Sequence, residues 1–208
     1  MRKVIPVGKV PRQVPAASQR RKRIADEAIL DAATGEFAAH GFQAASMEAV
    51  ASRAGTTKPT LYARFGPKEA LFRAAFEREA AHLRSALLDA YALGPEAPLR
   101  ERLHRYVHAY FDFGARRPDA LRLLFVSDGA FTAAITTPIH DELTARIAEL
   151  VARETGNGQP SRTDHLLAAL IAGAVHDGAG AAAAHGVPVA EAAAVTEQFL
   201  RGALVPPR

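Results

Sequence analysis

From about Arg20 to Ala203 the apolar residues recur every third or fourth position, and no run of β-branched residues alternates with polar ones. The first spacing is that of one face of a helix and the second that of a half-buried strand, so this pattern implies an all-α fold. Glycine and proline punctuate it. The first helix is expected from Ser18 or Arg20 to His40, with Gly41 at a left-handed cap position and Ile29, Leu30, Ala33 and Phe37 on its apolar face. Gly35 sits inside it at a cost of ~1 kcal/mol relative to alanine.

A short helix capped by Ser46 and closed by Gly55 follows, then one opened by Thr57 over 58–64, then a long one from Gly66-Pro67 to about Tyr91. Gly94-Pro95 makes a break. Later helices are expected over 98–114, 118–128, 138–155, 161–185 and 188–204, about nine in all. Pro118, Pro138 and Pro188 fit first-turn positions, and Gly156 and Gly186 fit helix ends. Glu142 and Arg146 make a favourable pair one turn apart.

The chain contains no cysteine, which removes disulfides, thiolate zinc sites and a cysteine nucleophile together. Its longest purely apolar run, Leu166 to Val175, is about half the ~20 residues of a membrane span. Pro6, Pro11 and Pro15 interrupt the basic N-terminus where a secretory segment would be apolar. A cytoplasmic protein with no membrane partner is expected.

The net charge of +4 is unevenly placed. Residues 1–23 carry Arg2, Lys3, Lys9, Arg12, Arg20, Arg21, Lys22 and Arg23 with no acid, while the remainder holds 18 basic against 22 acidic residues. A basic arm on a mildly acidic body suits a polyanion, nucleic acid first, although a solvated tail has the same composition. The expected organisation is a flexible basic arm over 1–18, a unit of short helices over 19–72 and a larger helical domain over 73–208.

Residues 46–72 place two helices too short to stand alone on either side of a turn at Gly55. Val50, Ala51 and Ala54 face Leu61 and Phe65 across it, and the small residues permit close approach. The second helix, ~10 Å long, suits a major groove. Its exposed positions are Lys58, Pro59, Thr60, Ala63 and Arg64, and its Thr57 cap leaves backbone N–H groups free for a phosphate. This is the pattern of a helix-turn-helix.

In these residues the chain resembles the tetracycline-repressor (TetR) family of bacterial transcription regulators. The shared parts are Gly41-Phe42, Ser46, Ala51 with Ala54-Gly55, Leu61-Tyr62 with Phe65, and Lys68-Glu69 with Leu71, in order and spacing over about 24–72. Beyond residue 73 the similarity is architectural. The resemblance implies that Lys58, Pro59 and Thr60 face base edges, and that Ser46, Thr57, Tyr62, Arg64 and Lys68 face phosphates. Two residues depart from the pattern. Glu36 stands where the family usually has an apolar residue, and Glu48 is acidic where relatives present a neutral or basic contact.

The resemblance also implies that the remaining helices bind an effector and form a homodimer. Ala169, Gly173 and Gly180 lie on one stripe of the 161–185 helix, with Leu166, Leu167, Leu170 and Ile171 on another. The 188–204 helix carries Ala192, Val195, Phe199 and Ala203 on one face. A four-helix interface through Ala169, Gly173, Gly180, Val195 and Phe199 is expected, the alternative being that both helices only cover the protomer core.

For an effector pocket the candidates are His104, His108 and Phe111, which flank a core stripe, with Phe125, Phe131, His140, His176 and Asp177 behind them. His104 and His108 have metal-ligand spacing, but no third ligand is implied by the sequence, so no metal and no cofactor is expected. There is no Gly-rich phosphate loop and no paired nucleophile and base, so no enzyme is expected. The expected function is a ligand-responsive repressor that binds a near-palindromic double-stranded operator and is released by a small molecule. The alternative is a DNA-binding regulator or architectural protein with no effector.

Overall fold

The computed structural model describes residues 16–92, 97–126, 129–154, 156 and 158–204. Among these it is all-α. The helices are α1 (Ala16–Ala44), α2 (Met47–Arg53), α3 (Lys58–Phe65), α4 (Lys68–Tyr91), α5 (Leu99–Arg116), α6 (Pro118–Val126), α7 (Ala130–Glu154), α8 (Arg162–His185) and α9 (Val189–Leu204). Most of the basic arm and the Gly94-Pro95 break lie outside the described residues. The helix begins at Ala16, so the last three residues assigned to the arm are helical.

α1 is kinked at Gly41, whose φ of 70° and ψ of 172° suit glycine alone. The helix therefore turns where the sequence places its stop, and four further residues carry the chain to Ser46.

The structure corrects the expected start of α7. The helix opens at Ala130, eight residues early, with Pro138 in its interior. A proline there removes one helical hydrogen bond, at a cost of ~3 kcal/mol. Packing at the helix start offsets it. Phe131 lies against Phe72 and Phe76 at 6.1 and 6.2 Å, Arg73 stacks over its ring, and Thr136 Oγ1 donates to Thr132 O at 3.0 Å.

Two apolar cores form. The first gathers Ile29, Ala33, Phe37, Val50, Leu61 and Leu71, continues along α4 through Ala75 and Phe76, and takes in Leu123 from α6. The residue-72 boundary thus falls inside an unbroken α4. The second core is built on α5, α7 and α8 around Tyr106, Val107, Ile147, Ile171 and Val175.

Between the cores stands Glu79, fully buried. Arg117 clasps its carboxylate with two bonds of 2.9 Å, Arg78 donates to it, and Thr34 Oγ1 of α1 donates to Oε1 at 3.2 Å. Arg78 continues to Glu27 and Asp31 of α1. Burial on its own would raise the Glu79 pKa. The hydrogen bonds from Arg117 and Arg78 outweigh burial and hold it below the ordinary carboxylate range.

α8 is long and apolar enough to cross a membrane, which amends the expectation drawn from its shorter apolar run. Here it is a bundle helix. Ala168, Ile171, Ala172, Val175 and Ala179 are buried in the second core.

Candidate nucleic-acid interface and effector cavity

The helix-turn-helix is assembled by side chains that hold its ends. Ser46 caps α2 by accepting from the Ala49 N–H at 3.4 Å, and its own N–H donates to Glu36 Oε1 at 2.9 Å. Glu36 is buried, with His40 Nδ1 3.3 Å from Oε1. The acid that departs from the family pattern therefore ties α1 to the start of α2. Its partner lies ten residues away, a separation with no local sequence signature. Gly55 makes the turn in the left-handed region at φ 62°. Thr57 then caps α3, accepting from the Thr60 N–H at 3.3 Å.

α3 stands proud of the domain. Leu61 is its one buried residue, while Lys58, Pro59, Thr60, Tyr62 and Arg64 are exposed, as are Ser46 and Thr57. Several of these polar groups already have partners. Lys58 Nζ is 3.0 Å from Glu48 Oε2, and this hydrogen bond raises the lysine pKa. The Thr60 hydroxyl lies 2.9 Å from that of Thr57. Arg64 donates to Asp26 of α1 at 2.9 Å. Lys68 donates to Gln43 O at 3.0 Å and sits over the Phe42 ring. These bonds pre-set side-chain directions, and apart from the local Thr57–Thr60 pair none is evident from spacing, because each joins different helices.

Gly35 also finds its place. A Cβ there would come 2.6 Å from Arg53 Nη1 and 3.4 Å from Asp119 Oδ2, so α1 is bare where α2 and α6 send side chains across it.

The histidines expected to line one pocket separate into two groups. A cavity of about 310 Å³ is walled by α4, α5, α6, α7 and α8. Leu83, Leu87, Leu124 and Leu143 supply apolar surface, and Thr136, Thr137, His140 and His176 supply polar groups. Tyr110 Oη and His176 Nδ1 share a hydrogen bond of 2.7 Å, and Phe125 packs on the His176 ring at 4.4 Å. Loss of water from part of that ring lowers the histidine pKa, only partly offset by Asp177, and burial raises that of Tyr110.

His104 and His108 do not line this cavity. The core stripe of α5 is Leu103, Tyr106, Val107 and Tyr110, which leaves 104 and 108 on the flank covered by α9, beside Glu197. Phe111 is buried, and with Phe125 it lines a separate concavity of about 550 Å³. Phe131 lines a third, of about 400 Å³, beside Phe42 and Phe72.

The expected interface residues also divide. Val195 and Phe199 are 60% and 63% exposed, Ala169 is exposed, and nothing lies within 4 Å of a Cβ placed at Gly173. Gly180 is corrected: a Cβ there would meet Phe125 at 3.1 Å, so it faces the protomer's own packing. Leu166 and Leu170 are corrected as well. They do not share the buried face of Ile171 but stand 60% exposed. Their one-turn spacing is out of step with the Ala168, Ala172, Val175 stripe, and that is the signal the sequence does offer.

A compact helix-turn-helix with an outward α3 runs on into a helical bundle that holds an open cavity walled by five helices. The profile of the bacterial regulatory proteins of the tetR family matches residues 29–75. The chain is 31% identical over 131 residues to the HTH-type transcriptional activator FasR of Mycolicibacterium smegmatis, covering 62% of this chain and 59% of that one. It is 32% identical over 97 residues to the HTH-type transcriptional repressor SCO4008 of Streptomyces coelicolor, covering 47% and 46%. The chain thus spans about half the length of the curated relatives it matches. A TetR-like transcriptional regulator from Rhodococcus sp. RHA1 superposes with a TM-score of 0.76 at 27% identity, over 94% of this chain and 100% of that one. Residues 29–75 thus carry the N-terminal unit of the tetR family, on a chain that shares the fold of a TetR-like regulator.

Proposed function

We propose that the protein is a ligand-responsive DNA-binding regulator of transcription that represses by occupying a near-palindromic operator as a homodimer. The observation that carries the DNA-binding reading is α3 itself, which buries only Leu61 and turns Lys58, Pro59, Thr60 and Tyr62 to solvent. On this reading Lys58, Pro59 and Thr60 meet base edges in the major groove. Ser46, Thr57, Tyr62, Arg64 and Lys68 meet phosphates. Arg64 must first exchange Asp26 for a phosphate, and Glu48 orients Lys58.

Ligand response is supported by adjacent residues on α6. Leu123 is part of the first core and Leu124 walls the 310 Å³ cavity. A small apolar molecule with a hydrogen-bonding group, seated against Leu124 and His176, displaces α6 and with it the first core. The spacing of the two recognition helices changes accordingly, and operator affinity falls. The homodimer is supported by the exposed apolar face of α8 and α9, where Leu166, Leu170, Val195 and Phe199 lie open.

Selection of bound sites from random duplexes, followed by competition binding, tests this reading. Tyr62→Phe is expected to weaken binding to every sequence, and Thr60→Ala to relax base preference. A changed preference in Tyr62→Phe with none in Thr60→Ala would reverse the assigned orientation of α3. A ligand library screened by thermal shift should yield compounds that stabilise the protein and release DNA, with both effects lost in a Leu124→Trp variant.

A further inference from the structure

We propose that His104, His108 and Glu197 form a binding site for a divalent cation of the Zn²⁺ class on the outer side of α5, apart from the effector cavity. The two histidines are one turn apart on α5, and α9 brings a carboxylate between them. His104 Nδ1 is 2.9 Å and His108 Nε2 3.5 Å from the same oxygen, Glu197 Oε2. The three ligand atoms all lie within 4.8 Å of one another. A tetrahedral ion with bonds of about 2.0–2.1 Å needs ligands roughly 3.3–3.4 Å apart, so both carboxylate distances already bracket the requirement. The imidazoles need only small rotations, and both rings are about half exposed and free to make them.

The donor set has the right chemistry. Two imidazoles and one carboxylate suit Zn²⁺ and the neighbouring first-row ions, and a fourth position stays open to water. Glu197 is shielded, with 13% of its side chain exposed, and Arg201 holds the other oxygen, Oε1. Arg201 thereby acts as the outer partner that orients a ligating carboxylate and leaves Oε2 to the two rings. Binding joins α5 of the second core to α9 across the bundle. Glu197 lies away from Val195 and Phe199 around α9, so occupancy does not require the exposed apolar face.

The rival account is a hydrogen-bonded clamp in which the imidazoles donate to Glu197 and no ion enters. Titration of the full-length, tag-free, chelator-treated protein with Zn²⁺, and with Co²⁺ as a spectroscopic probe, separates the two. One equivalent of Zn²⁺ per protomer is expected, with a raised Tm and a tetrahedral Co²⁺ visible spectrum. Mg²⁺ at the same concentration should do neither. His108→Ala and Glu197→Gln should each weaken binding by at least about tenfold while keeping the helical circular dichroism of the parent. Absence of saturable Zn²⁺ binding overturns the proposal. So does a Zn²⁺ affinity unchanged in both variants, which would place the ion elsewhere.

Discussion

Glu36 shows how one side chain can serve a position its type does not suit. A buried carboxylate at 4% exposure would be costly without partners, and here it accepts from the Ser46 N–H while His40 stands beside it. Removing it leaves the first N–H of the α2 cap unsatisfied. Glu36→Ala is therefore expected to cost about 1–2 kcal/mol of stability. DNA affinity should fall with it and sequence preference remain, because α2 supports α3 without reading bases. Denaturant midpoints and binding isotherms check this. A variant as stable as the parent would mean that the cap does not hold the start of α2.

α8 and α9 each divide their apolar residues between two duties. Ala168, Ile171 and Val175 close the second core, and so do Ala193 and Leu200, while Leu166, Leu170, Val195 and Phe199 are left in water. Gly173, which also borders the 310 Å³ cavity, tests that outer face. Nothing within the protomer lies within 4 Å of a Cβ there, and leucine is favoured over glycine in a helix by roughly 1 kcal/mol. Gly173→Leu is expected to leave the protomer folded, with unchanged helical content, and to disrupt the dimer by light scattering. An intact dimer would move the interface off α8. The link between α1 and α4 offers a second test. Glu79→Gln removes the charge that Arg78 and Arg117 share, and a loss of about 2–3 kcal/mol is expected, at the lower end for a broken buried pair because Arg117 stays partly exposed. Chemical denaturation reads it, and a loss no larger than that of a surface substitution would refute the central role of this acid.

Four of the described groups, His176, Glu79, Glu142 and Glu197, make the folded chain sensitive to acid in the same direction. The His176 pKa lies below its ordinary 6.5, so the unfolded chain binds a proton there first and stability declines as pH drops through 6.5. Glu79 lies below its ordinary 4.5, and the stability contributed by its arginine partners is present above that value and lost as pH falls through the lower folded one. Urea midpoints from pH 8 to 3 should fall in two stages. Glu79→Gln should shrink the second stage, to which Glu142 and Glu197 also contribute, and keep the first; a second stage of undiminished size would assign it to those two carboxylates.

Much of this protein is legible in local spacing. The helices, the Ser46 and Thr57 caps and the turn at Gly55 depend on residues within one or two turns of each other, so backbone geometry and periodicity specify them directly. Pro138 breaks that rule because contacts of Phe131 with α4 outweigh a local preference. Other features join residues far apart in the chain, such as Glu36 at the α2 cap, Glu79 between Arg78 and Arg117, and the separation of His140 and His176 from His104 and His108. Only tertiary packing decides them. Periodicity states which face of a helix is apolar, but the neighbour that covers that face, or leaves Leu166 and Phe199 bare, is selected by the packing of all the helices together.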